Sequence, residues 1–205
     1  MATIFISGSR TIPFLPEEAK CRLDRMIKEG HDVVIGDSDK GVDAMIAAYF
    51  ADVGYDCVSI YTTRPVPRLK TVLPSWKTVT VKSEIDKKID KQGRVVNQRD
   101  IETKKDIAMG DVADFGFVVW KPEYPNRFGK ASVSKGSLRN MVQLLSDHKP
   151  VVLYMLNESD GTFSLVDLRS RQELDGLIEN ASPLVQRSYA TILKDQTENA
   201  QNKLF

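Results

Sequence analysis

An α/β fold is the class this sequence predicts: an open parallel sheet with helices on both faces, extended at the C-terminus by a further strand and helix. Short apolar runs rich in β-branched residues alternate with stretches long enough for a crossover helix. Each run is followed by a loop of glycine, hydroxyl and charged residues. Strand, helix, strand units of this length make right-handed crossovers, which force the strands parallel and cover both faces of the sheet.

The elements follow in order. TIFIS is a strand, GSRTIP its loop, and 16–29 an amphipathic helix. DVVIG, DSDKG and VDAMIAAYFADVG repeat the pattern, and CVSIYTT is a third strand. The rhythm then breaks, because 64–76 holds three prolines and no apolar period, so it reads as an irregular loop. TVTV at 78–81 is a short strand, and the charged segment 82–93 is expected to face solvent or to move. A helix over 97–112 leads into DFGFVVW. A loop over 121–133 precedes SKGSLRN and its helix through Leu145, after which PVVLYM is a strand. TFSLVDL makes a final strand, and a polar helix over 182–203 closes the chain.

With 205 residues the chain suits one domain over 1–156 with an extension over 157–205 that packs on it or on a partner subunit, and a homo-oligomer is expected. An apolar fraction of 41% and a charged fraction of 28% are those of a globular protein. No apolar run approaches a membrane span and no signal-peptide pattern opens the sequence, so no membrane contact and a cytoplasmic location are expected. With 29 basic and 28 acidic residues the net charge is +1, and no global field attracts nucleic acid. Strand contact through Arg64, Arg68, Lys70 and Trp76 is the weaker alternative on this ground. Cys21 and Cys57 show no zinc or disulfide spacing and are expected to be buried thiols; no metal is expected.

In an open parallel sheet, ligands bind beyond the carboxyl ends of the strands. Four loops meet there: GSRTIP, GDSDKG, YTTRPVPR and WKPEYPNRFGKASVSKGS. His31 and His148 lie in helix-to-strand turns at the opposite edge, which removes a histidine-based site. Gly8 permits close backbone approach, Ser9 offers a hydroxyl and Arg10 a fork for phosphate, or else Arg10 pairs with Asp37 or Asp43 in a tight turn. In GDSDKGVD, Gly36 and Gly41 bracket the acidic residues. Asp37 or Asp43 takes ribose hydroxyls, or Asp39 caps the helix and Asp43 complements its dipole. Counting from Asp37, the calcium-loop pattern fails at positions five, six and twelve.

SKGSLRN places Ser134, Lys135, Gly136 and Ser137 where a helix begins, and unpaired amides there suit phosphate or carboxylate. The alternative is an ordinary helix start capped by Ser134 or Ser137. Trp120, at the end of its strand, stacks on a base or packs in the core. Asp106 is a site carboxylate or belongs, with Lys104 and Lys105, to a solvated helix face. GxxxxGK[ST], a strand-linked GxGxxG and a GxSxG elbow are all missing, so no ATPase, standard NAD dehydrogenase or acyl-transfer hydrolase is indicated and no cofactor is expected.

The succession of GSR, IGDxxxGVD, an Arg/Pro loop followed by Trp, KKDIAM before VADFGFVVW, SKGSLRNM and KPVVLY resembles the SLOG superfamily over about residues 3–155. Within it the sequence is most similar to the YspA-type proteins called domain of unknown function 2493. The resemblance implies a Rossmann-like sheet that binds a nucleotide or an NAD- or ADP-ribose-derived molecule, as a sensor or sequestering module. Relatives include the LOG phosphoribohydrolases, the DNA-processing protein DprA and sensor domains for NAD-derived signals. Carried over by position, it places Gly8, Ser9, Arg10, Gly36, Asp37, Gly41, Asp43, Asp106, Ser134, Gly136 and Ser137 at the site. In the LOG and deoxyribosyltransferase groups a glutamate follows the glycine-threonine pair by three residues. Here Asn140 stands at that position, able to orient a ribose but not to act as base or nucleophile. An N-glycosidic hydrolase or transferase, the alternative function, would therefore rely on Asp106 or Asp43.

Overall fold

The computed structural model describes residues 1–82, 88–93 and 95–202. Of the charged segment expected to face solvent, 83–87 lie outside the described residues, as does position 203, the last expected for the C-terminal helix. The elements run β1 (Thr3–Gly8), α1 (Glu17–Glu29), β2 (Asp32–Ile35), α2 (Val42–Asp52), β3 (Val58–Thr62), β4 (Lys77–Thr80), α3 (Gln98–Val112), β5 (Phe115–Trp120), β6 (Glu123–Pro125), β7 (Ala131–Val133), α4 (Lys135–Ser146), β8 (Val151–Leu156), β9 (Phe163–Leu168), α5 (Arg171–Glu179) and α6 (Pro183–Asn202).

Seven strands form one sheet in the order β4-β3-β2-β1-β5-β8-β9. All neighbours are parallel except β8 and β9. The chain winds outward from β1 to β4, then returns through α3 to β5 on the other side of β1, so the order reverses between β1 and β5. In an open α/β sheet that reversal opens a crevice at the carboxyl ends of the two strands. The fold is Rossmann-like, as the alternation of apolar runs predicts.

Alternate strand residues point to opposite faces. Ile4, Ile6, Ile35 and Ile60 pack under α1 and α2, while Phe5, Val118 and Leu153 pack under α3, α4, α5 and α6. Ser7 shares its face with Phe5 and so looks toward α3 and α4. The extension is not a separate layer. β9 joins the sheet against β8, and Leu174, Ile178, Val185, Tyr189 and Ile192 belong to the same core as α4.

Two elements differ from the sequence reading. The 121–133 loop contains an antiparallel hairpin, β6 with β7. Strands of three residues, one ending in Pro125, carry too little periodicity to be seen. α5 begins with a capping box, Ser170 and Glu173, which is the S-x-x-E signal the sequence did carry. Cys21 and Cys57 are exposed, contrary to expectation. Cys21 falls on the outer side of α1, and Cys57 in the turn entering β3.

At the turn into α2, Gly41 has φ +68°, and a Cβ there would overlap the Arg10 backbone. Gly41→Ala is expected to lower stability by about 1–3 kcal/mol, since the new methyl meets both a left-handed backbone and main-chain atoms that have no rotamer to yield. A urea denaturation midpoint equal to wild type would contradict this.

Candidate functional site

At the β1/β5 reversal a cavity of about 710 Å³ opens between the strand ends, α3, α4 and α6. β1 brings Ser7 and Gly8 to it. Gly8 has no side chain because a Cβ would overlap both the Val42 side chain and the Val119 carbonyl, so it lets α2 and β5 close on the strand end. The site and the packing depend on the same small residue.

Behind the cavity wall lies an ionic cluster built around Asp37, whose side chain is wholly buried. Thr62 Oγ1 donates to Asp37 Oδ2 at 2.9 Å, Arg68 Nε donates to Oδ2 at 3.1 Å and Arg68 Nη2 to Oδ1 at 2.7 Å, and Lys105 Nζ donates to Oδ1 at 2.9 Å. Burial opposes the charge on Asp37, but the Arg68 fork and the Lys105 ammonium outweigh it and hold the carboxyl well below the usual carboxylate range. With both oxygens engaged, Asp37 braces the cavity from behind and does not line it. Lys105, its side chain 6% exposed, also meets Glu102 at 3.2 Å, and Arg68 reaches Glu102 at 3.5 Å.

Two further carboxyls face the cavity itself. Asp43 Oδ2 accepts the Ser38 amide at 3.2 Å; burial pushes this carboxyl up to about 6, against the pull of Lys105. Burial likewise raises Asp106, while Lys105 and Arg99 pull it down. Arg99 Nη2 donates to Asp106 Oδ2 at 3.4 Å. Gly36 is small for a related reason, since a Cβ would overlap the Asp43 carboxylate and come within 3.4 Å of Lys105 Nζ.

α4 starts at the cavity rim, where Ser134, Lys135, Gly136 and Ser137 all line it. Ser134 holds the N-cap position but makes no side-chain cap bond. Its hydroxyl instead lies 2.8 Å from Ser9 Oγ and 3.4 Å from Ser137 Oγ. The ordinary capped start is thus corrected: the side chains tie α4 to the end of β1, and the first helix amides are left without a side-chain acceptor. Gly136 sits beneath the Arg99 guanidinium, where a Cβ would lie 3.1 Å from Nη2. A cation thus lies directly over the positive end of a helix.

Two buried oxygens in this wall stand out. Ser7 Oγ and Asn140 Oδ1 have no hydrogen-bond partner among the described residues, and both residues are only 5% exposed. Unpaired polar groups in such places cost free energy and are retained where a ligand or water completes them.

Of the residues the sequence singled out, Gly8, Arg10, Gly36, Asp43, Asp106, Ser134, Lys135, Gly136, Ser137 and Asn140 line the cavity. Ser9, Asp37, Gly41 and Trp120 do not. Ser9 accepts the Lys121 amide at 2.9 Å and is structural. Trp120, 1% exposed, donates Nε1–H to the Ser134 carbonyl at 3.3 Å and packs in the core, so its indole offers no face to a base in this cavity. Arg10 pairs with Asp39 at 3.3 Å, not with Asp37 or Asp43, and Asp39 does not cap α2. Asp106 is buried with Lys105, and neither belongs to a solvated face.

Sequence reading did not place Gln98, Arg99, Glu102 or Arg139 at the site, and it gave Arg68 to strand contact and Lys105 to a solvated helix face. The α3 residues recur at positions 98, 102, 105/106 and 109, one helical face, but charges at that spacing normally point to water. Arg68 and Trp76 also correct the strand-contact alternative: Arg68 is spent on Asp37, and Trp76 is buried with Nε1–H on the Tyr55 carbonyl at 2.7 Å. Four residues of α6, Ser188, Thr191, Ile192 and Asp195, complete the wall.

Fold and site together define a Rossmann-like protein with a polar, cation-bearing cavity at its strand-order reversal. No family model matches this chain, and no curated protein matches it. Among the described residues no helix is long and apolar enough to cross a membrane.

Proposed function

We propose that the cavity binds a phosphate-bearing nucleotide or an NAD- or ADP-ribose-derived molecule, and that the protein acts as a sensor or sequestering module for it. The observation that carries this reading is convergence: the start of α4 without a side-chain cap, the Arg99 guanidinium above Gly136, and Ser7 Oγ and Asn140 Oδ1, without partners among the described residues, all line one cavity. A phosphate takes amide and guanidinium donors at the helix start. Hydroxyls of an attached sugar suit the carboxylates and Asn140. The resemblance to the SLOG superfamily points the same way.

A second reading, N-glycosidic cleavage, is favoured by one feature. A cavity carboxyl with a pKa of about 6, Asp43, is near the range in which a general acid or base works at neutral pH, and Asp106 is shifted in the same direction. Release of free base from nucleotides, followed chromatographically, supports cleavage; binding without release supports the sensor.

The test of binding is a melting-temperature screen against nucleoside monophosphates, NAD and ADP-ribose. A ligand at about a hundred times its Kd adds roughly 2.7 kcal/mol. At about 2–4 °C per kcal/mol the shift is several degrees. It is expected to shrink in Lys135→Ala and Arg99→Ala, and to be much smaller with nucleosides lacking phosphate. A panel without shifts, or with shifts indifferent to both variants, would overturn the phosphate site.

A further inference from the structure

α6 turns one face to the core and the next to the cavity. Val185, Tyr189 and Ile192, spaced by four and three, bury against α4, and the neighbouring positions Ser188, Thr191 and Asp195 come round to line the cavity. Asp195 meets Arg139 of α4 at 3.4 Å, and the two side chains remain 48% and 23% exposed. Ser188, only 5% exposed, brings a hydroxyl to the same wall. Beside these groups Phe5, Met109 and Ile192 supply the apolar part of an otherwise charged lining.

Such a wall suits a particular chemistry. The guanidinium of Arg139 donates and the carboxylate of Asp195 accepts, so together they match an edge that carries both an acceptor and an N–H. A second phosphate is disfavoured, because Asp195 already neutralises Arg139 and repels an anion. A purely apolar group is disfavoured too, because it would bury the Ser188 hydroxyl and the ion pair without replacing their water. An uncharged aromatic ring lying on Phe5, Met109 and Ile192 meets both requirements.

We infer that α6 of the C-terminal extension is the specificity wall of the cavity and reads the edge of a nucleobase through Asp195, Arg139 and Ser188. This rests on the reading of the cavity as a site for a phosphate-bearing nucleotide. The phosphate belongs to the α4 start, and the base to the side facing α6.

Calorimetric titration of the full chain with ribose 5-phosphate and with AMP, GMP, CMP and UMP tests it, in wild type, Asp195→Asn and Ser188→Ala. At least one nucleotide is expected to bind about tenfold or more tightly than ribose 5-phosphate in wild type, the gain of a hydrogen bond to a charged group. Asp195→Asn and Ser188→Ala are expected to lose most of that gain while keeping the affinity for ribose 5-phosphate. Melting temperatures near wild type identify folded variants, and Asp195, at a half-exposed position, tolerates the change. Equal affinity of wild type for ribose 5-phosphate and all four nucleotides overturns the base-reading wall and leaves the phosphate site standing. So does an Asp195→Asn variant that binds every phosphate ligand more tightly by the same factor, since Asp195 then only competes for Arg139. Failure of both ribose 5-phosphate and the nucleotides to bind overturns the phosphate site and the wall together.

Discussion

Replacing Lys105 by methionine is expected to remove about 3–5 kcal/mol of stability at neutral pH, the usual effect of deleting one partner from a buried ionic cluster. Lys105 Nζ lies 2.9 Å from Asp37 and 3.2 Å from Glu102, and its charge acts on Asp43 and Asp106 as well. Burial alone disfavours the ammonium, and these carboxylates more than restore it, raising its pKa above the ordinary lysine value. Methionine fills a similar volume without charge, so four carboxyls then share a poorly solvated space with the less buried Arg64, Arg68, Arg99 and Arg139 as the neighbouring cations. Their affinity for protons rises in the folded state. A carboxyl whose folded pKa exceeds its unfolded one contributes stability that is complete below the unfolded pKa and lost as pH rises through the folded one. The deficit of Lys105→Met should accordingly narrow as pH falls from about 7 toward about 5. Urea midpoints across that interval measure it, and a variant as stable as wild type at neutral pH would show that the cluster is not a keystone of the fold.

Asp43→Asn is expected to act in the opposite direction and stabilise the protein. Burial raises this carboxyl from 3.8 to about 6, so ionising it in the folded state costs up to about 3 kcal/mol. The sign follows from proton counts. Between about pH 4 and pH 6 the folded state holds more protons at this position than the unfolded one, so stability declines with rising pH and the full cost is present above about pH 7. Asparagine keeps an oxygen for the Ser38 amide, bonded to Asp43 at 3.2 Å, and sheds the charge, at the expense of one neighbour of Lys105. The gain should be visible in denaturation at about pH 8 and vanish near about pH 4. A cavity residue that costs stability is the signature of a group kept for function, so nucleotide affinity or base release should fall in the same variant. Equal stability of the two proteins at the higher pH would mean that Asp43 carries no such cost.

Much of the frame is legible in the residues. TIFIS, DVVIG, CVSIYTT, FGFVVW and VVLYM are strands because β-branched and aromatic runs buried on both faces leave no other economical arrangement, and glycine-rich loops mark their carboxyl ends. GDSDKGVD and SKGSLRN lie at the cavity because loops leaving parallel strands emerge on one edge. The hairpin of β6 and β7 was not legible, and neither was the inward face of α3. Charged side chains at helical spacing look the same whether they face water or one another.

By itself the sequence determined the alternation of strands and helices, the edge on which ligand-type residues gather, and the position of both histidines in turns that enter strands, because each depends on local pattern and chain direction. Tertiary structure alone decided which of those residues meet. It turned Asp37 and Trp120 inward, joined Arg68, Lys105 and Glu102 from distant segments, and brought α6 across to close the cavity. The reason is that an ion's partners are chosen by distance and by the water left around it, and both are set only when the layers pack.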